Sequence, residues 1–85
     1  MGTSKQVEKF FLKNAFSFDD LVPLLQKSIR FLRGEDVNVD IKKMKGAWSG
    51  FYRIRSGNVR IIAEFDFTNS AIFVEVVDWR GHVYE

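Results

Sequence analysis

Cysteine is absent from the 85-residue chain, which excludes a disulfide framework and any thiolate metal site. Histidine occurs once, at His82, so a His-based zinc site lacks ligands. The acidic residues do not gather into a metal-binding cluster along the sequence, and no metal or cofactor is expected. A phosphate-binding glycine loop is missing too, Gly57 reading as a plain turn residue. The longest apolar runs are only a few residues, too short to span a membrane. The opening residues Met1, Gly2, Thr3, Ser4, Lys5 and Gln6 have no apolar stretch of the kind a signal peptide needs. Repeats, low-complexity segments and linkers are likewise not found. A soluble, cytoplasmic protein without membrane association is the expectation.

What is present suits one small domain spanning residues 1–85. Hydrophobic residues make up 46% and aromatics 15%, nine of them phenylalanine, enough apolar surface to fold without covalent staples. The net charge of +2 hides an asymmetry. Residues 1–40 balance to zero, residues 41–63 carry Lys42, Lys43, Lys45, Arg53, Arg55 and Arg60 with no acid, and residues 64–85 sum to −4. Two readings fit the cationic block: a surface for a polyanion, or a solvated face that happens to be basic.

Helical periodicity comes first. Val7, Phe10, Phe11 and Asn14 follow the i, i+3, i+4, i+7 pattern of a short helix over 5–14. A second helix is predicted over about 19–33, with Leu21, Leu25, Ser28 and Leu32 along one edge of its apolar face. Ser17, Asp19 and Asp20 are candidate N-caps, and Pro23 favours a start at Asp19 or Asp20 because proline is best tolerated in the first turn. Gly34 falls where a left-handed C-cap belongs. The pattern then turns alternating. An extended segment at 39–44, a loop at 46–50 carrying Trp48, and strands at 51–55, 59–67 and 71–78 are predicted, with tight turns at 56–58 and 68–70. The third of these strands, apolar at nearly every position, reads as central. A helical hairpin over about 5–33 followed by an antiparallel meander over about 39–84 defines an α+β class, with helices on one face of a three- to four-stranded antiparallel sheet.

The spacing of the basic residues carries chemistry. Arg53 and Arg55 are two apart on a strand and share a face, and the short turn brings Arg60 back beside them. Arg80, His82 and Tyr84 repeat the spacing at the C-terminus and project together if that tail is extended. Arginine binds phosphate bidentately and stacks on bases, while tyrosine and tryptophan offer stacking platforms for unpaired nucleotides. The competing reading is that alternate outward residues on a strand are simply polar, that His82 is an exposed tail residue, and that Trp48 and Trp79 pack in the core or an interface.

The run Lys42, Lys43, Met44, Lys45, Gly46, followed by Ser49-Gly50-Phe51-Tyr52-Arg53-Ile54-Arg55-Ser56-Gly57-Asn58-Val59-Arg60-Ile61-Ile62, resembles the RelE/ParE toxin superfamily. The ending Val76-Val77-Asp78-Trp79-Arg80-Gly81-His82-Val83-Tyr84 resembles the close of the same family. The likeness covers about residues 41–85, and the helical hairpin fits its topology. It implies the toxin of a type II toxin–antitoxin system: a RelE-like, ribosome-dependent endoribonuclease that cleaves mRNA and inhibits translation. Its partners would be a cognate antitoxin, the ribosome and mRNA, with a homodimer or a hetero-oligomer with antitoxin as the assembly. Carried over residue by residue, the catalytic set falls on Arg53, Arg55, Arg60, Arg80 and Tyr84, joined by His82 as the side chain suited to move a proton near neutrality. Lys42, Lys43, Lys45 and Trp48 would bind RNA.

Three departures accompany the likeness. The family's opening strand is missing or short, which would leave a sheet edge open to pairing. Arginine replaces the family's frequent lysine on the second strand, and Trp79 stands where the family has histidine. Two other function classes therefore stay in view: a non-catalytic ParE-like or degenerate toxin fold that binds an antitoxin or another protein such as gyrase, and a general RNA-binding domain that leaves RNA intact.

Overall fold

The computed structural model describes residues 1–80. A two-residue strand β1 (Gly2–Thr3) leads into helices α1 (Lys5–Lys13) and α2 (Phe18–Leu32). Strands β2 (Asp40–Lys43), β3 (Tyr52–Ser56), β4 (Val59–Asp66) and β5 (Ala71–Trp79) follow, with a short 3₁₀ turn (Gly46–Trp48) between β2 and β3. The five strands form one sheet in the order β1-β5-β4-β3-β2.

The α+β class holds, with two corrections to the sheet. Among the described residues the strands number five, and the sheet is mixed, because β1 pairs parallel with β5 through Gly2–Phe73 and Thr3–Val74. The opening strand is therefore present in minimal form. It is extended by side chains. Ser4 caps α1 by accepting from the Val7 N–H at 3.3 Å and donates to the Glu75 carbonyl at 2.6 Å. The Gln6 carboxamide donates to the Val77 carbonyl at 2.8 Å and accepts the Val77 N–H at 3.0 Å. Gln6 thus bonds to β5 as another strand would, and the edge expected to stand open there is partly closed.

Helix α2 begins at Phe18, earlier than Pro23 alone suggested. Asp20 accepts from the Ser17 N–H at 2.8 Å and from its hydroxyl at 3.2 Å, and this N-terminal bracing outweighs the loss of one helical hydrogen bond at Pro23. At the other end Gly34 takes φ +92°. The Glu35 N–H reaches the Arg30 carbonyl and the Gly34 N–H that of Phe31, each at 3.0 Å, the Schellman arrangement.

Both helices cover the same sheet face. Val7 and Phe10 of α1 and Leu21 and Leu25 of α2 form one core with Ile54, Val59, Ile61, Ala63, Val74 and Val77. Val74 and Val77 are three apart and would face oppositely on a regular strand. A β-bulge resolves this: Ile62 pairs with Val76 and Ala63 with Val74, so Glu75 is extra and both valines face inward. Strand β5 lies inside the sheet as expected, but its outer neighbour spans only two residues. Phe67, read as part of β4, lies in the following turn and is exposed. Among the described residues no helix is long and apolar enough to cross a membrane.

Candidate functional site

The strands that supply the core also build the opposite face, one residue out of step. The β3–β4 hairpin turns through Gly57 and Asn58, with φ +56° at Gly57, the conformation a tight two-residue connection asks of its first central residue. This turn sets Arg55 directly opposite Arg60, while β2 and β5 bring Asp40 to the far side of Arg55 and Asp78 to the far side of Arg60. The result is one cross-strand row, Asp40–Arg55–Arg60–Asp78. The next outward row is Lys42–Arg53–Ile62–Val76.

Directly opposed like charges repel, so the Arg55–Arg60 pairing is a cost carried on a face the helices leave uncovered. Arg60 is 6% exposed, and beside it Ile62 is fully buried although it stands outside the helix-side core. Burial, then the charges of Arg55, Arg80 and Arg53, push the Arg60 pKa below its ordinary value, while Asp40 pulls it upward. Three arginines are therefore within electrostatic reach of Arg60. The guanidinium nonetheless stays protonated at neutral pH, so Arg60 is a fixed, poorly hydrated cation. Arg80 begins just after β5, its N–H bonded to the Asn58 carbonyl at 2.7 Å, which ties it to the β3–β4 turn.

Asp40 organises the neighbours. Its Oδ2 accepts from Arg55 Nε at 2.8 Å and its Oδ1 from Arg53 Nη2 at 3.4 Å. The Arg53 Nε is buried without a hydrogen-bond partner, an unsatisfied donor of the kind that is expensive to keep dry. Lys42, Lys43, Met44, Lys45, Trp48 and Arg53 line an open groove of about 480 Å³. Trp48 is held in it edge-on to Phe51, with ring centres 5.5 Å apart.

The structure brings together Arg53, Arg55, Arg60 and Arg80, and it brings Lys42, Lys43, Lys45 and Trp48 to a groove that meets the arginines at Arg53. His82 and Tyr84 lie outside the described residues. Trp79 takes the packing alternative: its indole packs at a tilt against Phe10, ring centres 5.1 Å apart, and donates to Asn14 Oδ1 at 3.0 Å. Asp40 was missed by sequence reasoning. Its signal was the i, i+2 relation to Lys42 on an extended segment, which places both on the face shared with the arginines. Among the described residues no group of three or more acidic or histidine side chains is placed to hold a metal ion.

These features define a class first: a small α+β domain with helices on one face of a sheet and a cationic, partly desolvated opposite face. Comparison with solved structures then narrows it. The chain is similar to a chain in the crystal structure of the RelB–RelE antitoxin–toxin complex from Methanococcus jannaschii, with 27% identity and a TM-score of 0.60 over 94% of this chain and 91% of that one. The fold is a toxin–antitoxin-related one. No protein-family model and no curated protein sequence matches.

Proposed function

We propose that this protein is the toxin of a type II toxin–antitoxin pair and cleaves mRNA on the ribosome. The observation that carries this reading is the Arg55–Arg60 row with Arg53 and Arg80 around it, on the sheet face opposite the helices of a toxin–antitoxin-related fold. Converging guanidinium groups hold a phosphate bidentately and stabilise charge that grows on it, the property a phosphoryl-transfer site uses. The reaction assigned to this site draws its charge stabilisation from cationic side chains and uses no metal ion.

The reaction is an internal transfer. The ribose 2′-oxygen loses its proton and bonds to the adjacent phosphorus, the bond from phosphorus to the 5′-oxygen breaks, and that oxygen takes a proton. The products are a 2′,3′-cyclic phosphate and a 5′-hydroxyl. Arg60, with Arg53 or Arg55, stabilises the charge growing on the phosphoryl oxygens, and Arg80 acts near the leaving oxygen. Tyr84 stacks on or orients a base, His82 moves the proton, and Lys42, Lys43, Lys45 and Trp48 hold the neighbouring nucleotides. The partner in the resting cell is a cognate antitoxin in the cytoplasm, in keeping with the antitoxin–toxin complex that the chain resembles.

The test is to add the purified full chain to ribosomes carrying a defined mRNA and to map the new ends. Fragments ending in a 2′,3′-cyclic phosphate support the reading; intact mRNA in the presence of folded protein overturns it. The proton carrier has its own signature. The single-turnover rate should show a limb near pH 6–7 that His82→Gln removes, and a profile unchanged by that substitution eliminates His82.

A second reading has one observation behind it. Among the described residues the cluster is built of arginines, side chains that hold a phosphate without exchanging protons with it, which suits a fold that binds without catalysing. A chain that captures an antitoxin while leaving mRNA whole would belong to that class.

A further inference from the structure

The basic face carries its own anion. Asp40 stands at the start of the edge strand β2, opposite Arg55, and contacts two arginines at once, at 2.8 Å and 3.4 Å. Its side chain is 49% exposed, whereas those of Arg53 and Arg55 are 14% and 33% exposed. The carboxylate is thus on the solvent side of guanidinium groups that are mostly covered, where an approaching phosphate must arrive. Its charge also acts on Arg60 in the sense opposite to the three arginines.

We propose that Asp40 is an internal counter-ion that occupies the Arg53–Arg55 pair in the free protein and competes with a phosphate of the ligand for it. The inference rests on the reading of this face as a site for a phosphate-bearing chain, and it adds a specificity-determining residue to that site. A carboxylate in this position weakens binding of any loose polyanion, since a ligand must displace it before the pair is free. A ligand fixed in place by other contacts loses less by the competition. Asp40 therefore favours RNA presented in one geometry over RNA met at random.

The substitution Asp40→Asn removes the charge and keeps the size and one acceptor oxygen, so it separates charge from shape. The test measures binding of the full chain to a single-stranded 2′-O-methyl RNA, which cannot undergo 2′-OH attack, and separately to tripolyphosphate, each across a range of salt. An exposed ion pair is a small term, and Asp40→Asn should tighten both ligands about threefold at low salt. The slope of log affinity against log salt for the RNA should steepen by about 0.7, the increment for one more phosphate neutralised on a single strand. Adding Arg55→Gln to the same chain should cancel most of the gain, because Asp40 acts through Arg55. Unchanged or weaker binding with an unchanged slope, in a variant whose circular dichroism matches the parent, overturns the inference, as does a gain that survives Arg55→Gln.

The two readings fail differently. If mRNA is cleaved but Asp40→Asn binds like the parent, the counter-ion role is wrong and the proposed function stands. If mRNA is untouched but Asp40→Asn tightens tripolyphosphate as expected, the counter-ion role stands and the endonuclease reading falls. If neither the parent nor Asp40→Asn binds either ligand, the counter-ion role is overturned together with the reading of this face as a phosphate site.

Discussion

The two faces of the sheet are written in the same strands, one residue apart. Ile41, Ile54, Ile61 and Val77 are successive cross-strand neighbours on the helix side, and Asp40, Arg55, Arg60 and Asp78 are the row beside them on the other. Ile54, Ile61 and Val77 are fully buried under the helices. Arg60 is almost as hidden, yet it is a cation among cations. Burial has opposite consequences in the two rows. For the isoleucines it removes apolar area from water and stabilises the fold. For Arg60 it strips hydration from a charge that already has three cations near it, which works against the charged form and lowers its pKa. Burial alone does not mark a core residue; its chemistry and its row do.

The largest effect expected is on the inner row. Ile61→Ala should lower unfolding free energy by about 2–5 kcal/mol, as a truncated core isoleucine does, read as a lower denaturant midpoint. A shift below about 1 kcal/mol would mean that the helix side does not hold the sheet. The sheet's β1 edge comes next. Gln6→Ala removes both bonds to Val77 and should cost about 1–3 kcal/mol, at roughly 0.5–1.5 kcal/mol per hydrogen bond. Hydrogen exchange at the Val77 amide should quicken in the same variant, and unaltered protection would show that Gln6 does not close the edge.

The smallest effect lies in the β4–β5 turn, away from both rows. The Asn69 side-chain amide, followed by its backbone N–H, holds the Asp66 carboxyl below the usual aspartate range. The unfolded chain then binds more protons than the native one, so this contribution is present above about pH 4 and fades as the pH falls through the lowered native value. Asn69→Ala should be slightly less stable than the parent near neutrality, with the two converging at low pH. A constant gap from pH 7 to pH 2 would assign the loss to the turn's geometry rather than to Asp66.

Much of this comparison is legible in the sequence. Alternation in β3 and β4 separates the two rows, and the two-residue turn after Ser56 makes the Arg55–Arg60 encounter foreseeable. Gly34 marks its helix end because the left-handed conformation there is sterically easy for glycine alone. Other features depend on pairing that no local pattern encodes. Gly2 and Thr3 have no strand signature, and their parallel pairing rests on Ser4 and Gln6 meeting a strand some 71 positions away. The bulge at Glu75 shifts a register that unbroken alternation would have continued. Asp40 precedes the cationic block in the chain; its spacing from Lys42 puts it on the same face, but the β2–β3 register alone sets it opposite Arg55. Trp79 resembled a stacking platform by type, and its role was decided by Phe10 and Asn14 of a helix distant in sequence.

The outer row is where the account stands or falls. The most direct measurement is the single-turnover rate of mRNA cleavage on programmed ribosomes for the wild-type chain and for Arg60→Ala, taken alongside their unfolding curves. Loss of one preorganised donor to a developing oxyanion costs about 10²–10³ in rate, and Arg60 stands outside the helix-side core, so its removal should cost less stability than Ile61→Ala. The predicted result is therefore a slow but fully folded variant. Wild-type cleavage by Arg60→Ala would contradict the account, and so would a loss of activity matched by a loss of stability like that of Ile61→Ala, which would make Arg60 a structural residue.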